Sequence, residues 1–76
     1  MKVKVTYKNR LNGETESYKG ELCTGTPSWY PDEYDPWDKN MIKDYHVRVS
    51  QKTQKKMGTT SPEIELYKHD KLEILK

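Results

Sequence analysis

A chain of 76 residues, 32% apolar and without Phe, makes one small domain with little material for a core. Its net charge of +2 and pI near 8.6 fall short of the pI above about 9 that marks a nucleic-acid-binding domain. The one cysteine, Cys23, excludes an internal disulfide, and Cys23, His46 and His69 are too scattered for a zinc site, so neither metal nor other cofactor is expected.

KVKVTYK (2–8) alternates Val3, Val5 and Tyr7 with Lys2, Lys4, Thr6 and Lys8, the period of a half-buried strand. Asn12-Gly13 then marks a tight turn, because both residues tolerate positive φ. ETESYKGEL (14–22) puts Tyr18, Gly20 and Leu22 on one face. A glycine inside a strand marks a sharp bend or a close backbone approach, so this second strand is expected to bend near Gly20. Residues 23–41 carry no strand pattern, and so long a connection needs local order or a function. Within it, Asp35 as N-cap, Pro36 at the first helical position and Asp38 in the first turn predict a short helical turn over about 36–42.

KDYHVRVSQ (43–51) resumes the alternation, with Tyr45, Val47 and Val49 on one face and His46, Arg48 and Ser50 on the other. KTQKKMGTTSP (52–62) reads as a polar, basic connection with Gly58 and Pro62 as breakers. EIELYK (63–68) has Ile64 and Leu66 inward and Glu63 and Glu65 outward, and KLEILK (71–76) is a last short strand. Five short strands without a long helix, repeat or linker predict one all-β domain over 1–76. Its expected form is a small, strongly bent, SH3-like or Sm-like five-stranded barrel with a long connection between the second and third strands.

The C-terminal stretch IELYKHDKLEIL resembles the second signature of Sm-like proteins, which in the bacterial, Hfq-like branch places Lys-His after Tyr, as in Tyr67-Lys68-His69. The hairpin VKVTYKNRLNG…YKGEL resembles the first signature, with Gly20 in the bent second strand. The resemblance implies a bent five-stranded barrel whose subunits form rings by pairing their fourth and fifth strands. It also implies that Lys68 and His69 contact uridine-rich RNA, while Tyr67 belongs to the subunit interface. The resemblance stops where SWYPDEYDPWDKNM (28–41) begins.

Charge is segregated along the chain. Residues 28–38 carry four acids and no base, while 1–27 have net charge +2 and 39–76 net charge +4. The acidic stretch also holds Trp29, Tyr30, Tyr34 and Trp37, half of the eight aromatics. Trp and Tyr are common binding anchors, and an acidic rim suits a basic partner. Trp29, Tyr30, Asp32, Glu33, Tyr34, Asp35 and Trp37 are therefore one candidate site for docking a basic protein surface, unless some of the rings fold back to complete the core.

The second candidate is basic. Lys2, Lys4, Lys8, His46 and Arg48 share a side if the first and third strands are neighbours, joined by Lys52, Lys55 and Lys56 from the connection and by Lys68 and His69. Such a face attracts phosphate backbones, although Glu14, Glu16, Glu63 and Glu65 on neighbouring strands can pair across with the lysines. Catalysis finds no support: Cys23 with His46 or His69 lacks an orienting third group, and there is no glycine-rich phosphate loop. No catalytic residue is assigned.

A lone thiol suits a reducing compartment. MKVKVTYKNR lacks the apolar segment of a signal peptide, and no run approaches the roughly 18 apolar residues of a membrane span, so a cytoplasmic protein is expected. Cores this thin supply only about 3–5 kcal/mol of net stability, which leaves homo-oligomerisation as a source of more. Two functions are expected from these patterns. The first is a small protein-interaction module, by analogy with phage and mobile-element inhibitors of host proteins, acting through 28–41. The second is an oligomeric, Sm-like binder of RNA or single-stranded nucleic acid.

Overall fold

The computed structural model describes residues 1–9, 12–30 and 40–76. They form β1 (Lys2–Lys8), β2 (Thr15–Thr24), β3 (Met41–Arg48), α1 (Gln51–Met57), β4 (Glu63–Tyr67) and β5 (Lys71–Ile74). The strands pair antiparallel in one sheet of order β4-β3-β2-β1-β5, an all-β fold with five strands as the alternation indicates. No helix among the described residues is long and apolar enough to cross a membrane.

Period-two alternation builds the core directly. Val3 and Val5 on β1 are fully buried and stand opposite Gly20 and Tyr18 on β2. With Tyr18, Val47, Val49 and Leu66 they form the core cluster, and Tyr7, Leu22, Ile42, Met57 and Ile64 pack against it. The β1–β2 turn closes where Asn12-Gly13 indicates: Gly13 takes φ 71°, its N–H donates to the Asn9 carbonyl, and the Asn12 side chain accepts from the Glu14 N–H.

Strand β2 changes partner along its length. Thr15–Glu21 pair with β1, and Glu21–Thr24 pair with β3. Gly20 sits at that change, and a Cβ there would lie 2.6 Å from both the Arg48 carbonyl oxygen and Val47 Cγ1. The glycine expected at a bend is therefore one that lets two backbones approach.

Three expectations are corrected. The stretch 52–62 is not simply a connection, because Gln51–Met57 form α1. Ser50 caps its start by accepting the Thr53 N–H at 3.3 Å, and Gly58, at φ 73°, ends it in the left-handed conformation. The second correction concerns the turn proposed over 36–42: Met41 and Ile42 already belong to β3, and 36–39 lie outside the described residues. The third is the facing of β3. Its register against β4 shifts between Ile42 and His46, so strict alternation fails. His46 and Glu63, expected outward, are buried, while Tyr45 is 45% exposed.

Removing the N-cap oxygen tests the account of α1. Ser50→Ala is expected to cost about 1 kcal/mol, the usual value of a serine cap, read as a lower urea midpoint with an unchanged slope.

At the other edge of the sheet, Leu72 and Ile74 of β5 stand in register with the buried Val5 and Val3. They are nevertheless 41% and 57% exposed.

Candidate functional site

The loop after β2 is held to the start of β4 by one buried carboxylate. Glu63 accepts the Ser28 N–H at 3.1 Å and the Ser28 hydroxyl, and its other oxygen faces His46 Nε2 at 3.2 Å and Arg48 at 3.8 Å. The Trp29 indole N–H donates to the Glu63 carbonyl at 2.9 Å. His46 Nδ1 lies 2.9 Å from the Gly25 carbonyl, and since a carbonyl only accepts, that nitrogen is the donor of this bond. Burial of these polar groups is tolerated because they satisfy one another. His46 also stands directly opposite Cys23 across β2 and β3, but its ring nitrogens are engaged elsewhere and do not serve the thiol.

Those hydrogen bonds, Ser28's hydroxyl first, hold the Glu63 carboxyl below its usual 4.5 against an opposing effect of burial. A carboxyl lowered on folding contributes stability that is present above its unfolded value and is lost as pH falls through the folded one. Glu63→Gln is therefore expected to lower stability by weakening the hold on Ser28, His46 and Arg48, while the Trp29 bond to the Glu63 backbone carbonyl stays in place. The stability gap between wild type and variant should be widest at neutral pH and should close as pH drops below 4.5. Urea titrations across that range provide the check.

Of the acidic-aromatic candidates, Trp29 is thus fixed by its N–H while 47% exposed, and Tyr30 packs edge-on against it with centroids 6.1 Å apart. Asp32, Glu33, Tyr34, Asp35 and Trp37 lie outside the described residues. The described ends of the segment sit at opposite ends of β4: Ser28 and Trp29 at Glu63, and Asn40 at Lys68, whose N–H donates to its carbonyl at 2.7 Å.

The basic candidates do not form one face. His46 and Arg48 gather around Glu63 and leave the expected basic face. Lys68 and His69 lie in the β4–β5 turn, where the His69 ring stacks on Tyr67 at 5.6 Å. Lys2 and Lys55 are exposed on β1 and α1.

Lys4 and Lys56 do come together. They line a groove of about 460 Å³ between α1 and the outer face of β1 and β2, with Ser17, Lys19, Lys52 and Thr53. Strand register places Lys4 directly opposite Lys19, and Lys52 and Lys56 share one helix face at i, i+4. None of the four lysines is in an ion pair among the described residues. Glu73 on β5 stands directly opposite Lys4, and Glu16 feels Lys56 weakly. Like charges directly opposed across a ladder or one turn apart on a helix are destabilising, so the groove holds repulsion that a bound anion would relieve.

No protein-family model, curated protein or solved structure matches the chain. The groove therefore has to be interpreted from its own chemistry. Lys19 is the groove residue that outward alternation on the first strand alone does not reveal. The Asn12-Gly13 turn fixes its place, because the hairpin register it sets puts residue 19 across from residue 4.

Proposed function

We propose that the chain binds the phosphate backbone of single-stranded nucleic acid, RNA in the first instance, in the groove between α1 and β1–β2. The single observation that carries this reading is the convergence of Lys4, Lys19, Lys52 and Lys56 without ion-pair partners among the described residues. Ser17 and Thr53 add hydroxyls that can donate to phosphate oxygens. A duplex, stiff over about 150 bp, presents its phosphates on a convex cylinder, whereas a flexible strand can follow a short groove. The Sm-like resemblance also implies RNA binding, but through Lys68 and His69 in the β4–β5 turn and not through this groove. The exposed Leu72 and Ile74 on β5 support its oligomeric form, in which fourth and fifth strands pair between subunits. Fluorescence anisotropy with a labelled oligouridylate at low salt tests the reading: saturable binding that weakens as salt is added supports it, and no binding at low salt ends it.

A second reading is supported by Trp29. Its indole is pinned through Nε1 yet nearly half exposed, so a ring of a common anchor type is presented at little entropic cost. In that reading the chain is a non-enzymatic interaction module, of the phage or mobile-element inhibitor type, that docks a basic partner on the acidic-aromatic segment. Trp29→Ala leaving a captured partner bound would remove it.

A further inference from the structure

On the other side of Tyr18 lies a second cleft, of about 320 Å³, that shares only this residue with the lysine groove. Its chemistry differs from the groove's, although Lys8 and His69 also line it. Tyr7, Tyr18 and Tyr67 supply aromatic walls, Met57 and Ile64 supply apolar surface, and Glu65 and Asp70 supply two carboxylates.

Two of its buried groups are incompletely partnered. The Tyr18 hydroxyl is buried and has no hydrogen-bond partner among the described residues, in a side chain only 5% exposed. The other phenols are occupied: Tyr7 donates to Glu16 at 2.9 Å and Tyr67 to Glu65 at 3.2 Å. The Asp70 side chain is only 7% exposed. It accepts the Tyr67 N–H at 3.0 Å, and the His69 ring lies 3.6 Å from its other oxygen. Lys8 at the rim reaches neither carboxylate. Burial and the charges of Asp70 and Glu65 push the Tyr18 phenol up, and burial followed by the Glu16 hydrogen bond pushes Tyr7 up to about 12, so both stay neutral.

A buried carboxylate without a full counter-ion and a buried hydroxyl without a partner each carry a desolvation penalty. One ligand can relieve both: a flat cation with several N–H donors that stacks on tyrosine rings. Guanidinium has that shape, and ammonium, compact and strongly hydrated, fits a slot between rings less well.

We infer that the tyrosine cleft receives an arginine side chain of a protein partner. Its guanidinium donates to Asp70 while its plane lies against the tyrosine walls, and it reaches the Tyr18 hydroxyl oxygen, closed to solvent in the free chain, once the ring shifts toward it. This goes beyond nucleic-acid binding and does not depend on it, since the lysines of the groove play no part.

Amide-resolved NMR titration with N-acetyl-arginine methylamide, and with its lysine and citrulline counterparts, tests the inference. Blocked arginine should shift Tyr18, Tyr67 and Asp70 saturably, blocked lysine should bind at least about threefold more weakly, and neutral citrulline should not bind. Tyr18→Phe and Asp70→Asn should each weaken arginine binding by about fivefold or more, while Lys19→Ala with Lys52→Ala should leave it unchanged. Without ligand, Tyr18→Phe should melt no lower than wild type, because it removes an unsatisfied hydroxyl. Citrulline binding as well as arginine, shifts confined to another surface, unchanged binding by Tyr18→Phe or a lower melting temperature for it would each overturn the proposal. So would saturation of the same signals by an oligonucleotide in place of arginine. Failure of oligouridylate to bind, with arginine still seated, would sink the nucleic-acid reading alone.

Discussion

Gly20→Ala is expected to leave the fold only marginally stable at ordinary temperature. The added carbon would sit 2.6 Å from the Arg48 carbonyl oxygen and from Val47 Cγ1, and 3.1 Å from Val49 Cγ1. One of these neighbours is backbone, and the others belong to the core cluster, so none can move aside cheaply. Overpacking a core usually costs about 1–3 kcal/mol and sometimes more; here about 3 kcal/mol is expected, most of the roughly 3–5 kcal/mol that a domain this size has. Gly25 provides the contrast. Its φ is 86° with open space around it, so Gly25→Ala meets strain without a clash and should cost only about 1–2 kcal/mol. Circular dichroism and urea melts of the two variants separate the effects. A Gly20→Ala protein as stable as wild type would mean that β2 and β3 do not approach as closely as described.

The second large effect is on binding. Lys19→Ala combined with Lys52→Ala removes two of the four groove cations, one from the sheet and one from the helix. The lost counterion release alone is worth on the order of tenfold to thirtyfold in single-strand affinity at 0.1 M salt. Stability should move the other way or stay level, because the repulsion between Lys4 and Lys19 and between Lys52 and Lys56 is relieved. That divergence marks a binding site: a merely structural role for these lysines would lower the melting temperature together with the affinity.

The strands that build this groove were legible because their side chains alternate. Val3, Val5 and Tyr18 are buried where period two puts them, and Gly20 carries the close approach that a glycine inside a strand signals. Helix α1 was not legible by the same means. Among its residues only Met57 packs on the core, so there is no apolar stripe to detect, although Ser50 and Gly58 stand as its start and stop signals. The Glu63–His46 pair escaped for another reason. Charged side chains are rarely buried without partners, and these partners, Ser28 and Gly25, come from a loop that is 35 residues from Glu63 and 21 from His46 in sequence. The register shift on β3 then turned His46 inward against the alternation. As a result, the basic surface expected across β1 and β3 instead lies between β1, β2 and α1, and only Lys4, Lys52 and Lys56 carry over from it.

The acidic-aromatic segment keeps its anchor even where the rest lies outside the described residues. Trp29 and Ser28 are fastened to Glu63 at one end of β4, and Asn40 to Lys68 at the other. The described anchors of that segment, Ser28, Trp29 and Asn40, meet β4 and its end, whereas the lysine groove lies on β1, β2 and α1, so the two readings make separable demands on the molecule.

The most direct measurement is the salt dependence of oligouridylate binding by the wild-type chain. Four phosphate contacts on a single strand should give a slope of log K against log salt of about −3. A flat line, or binding that survives high salt undiminished, would contradict the lysine groove as the site.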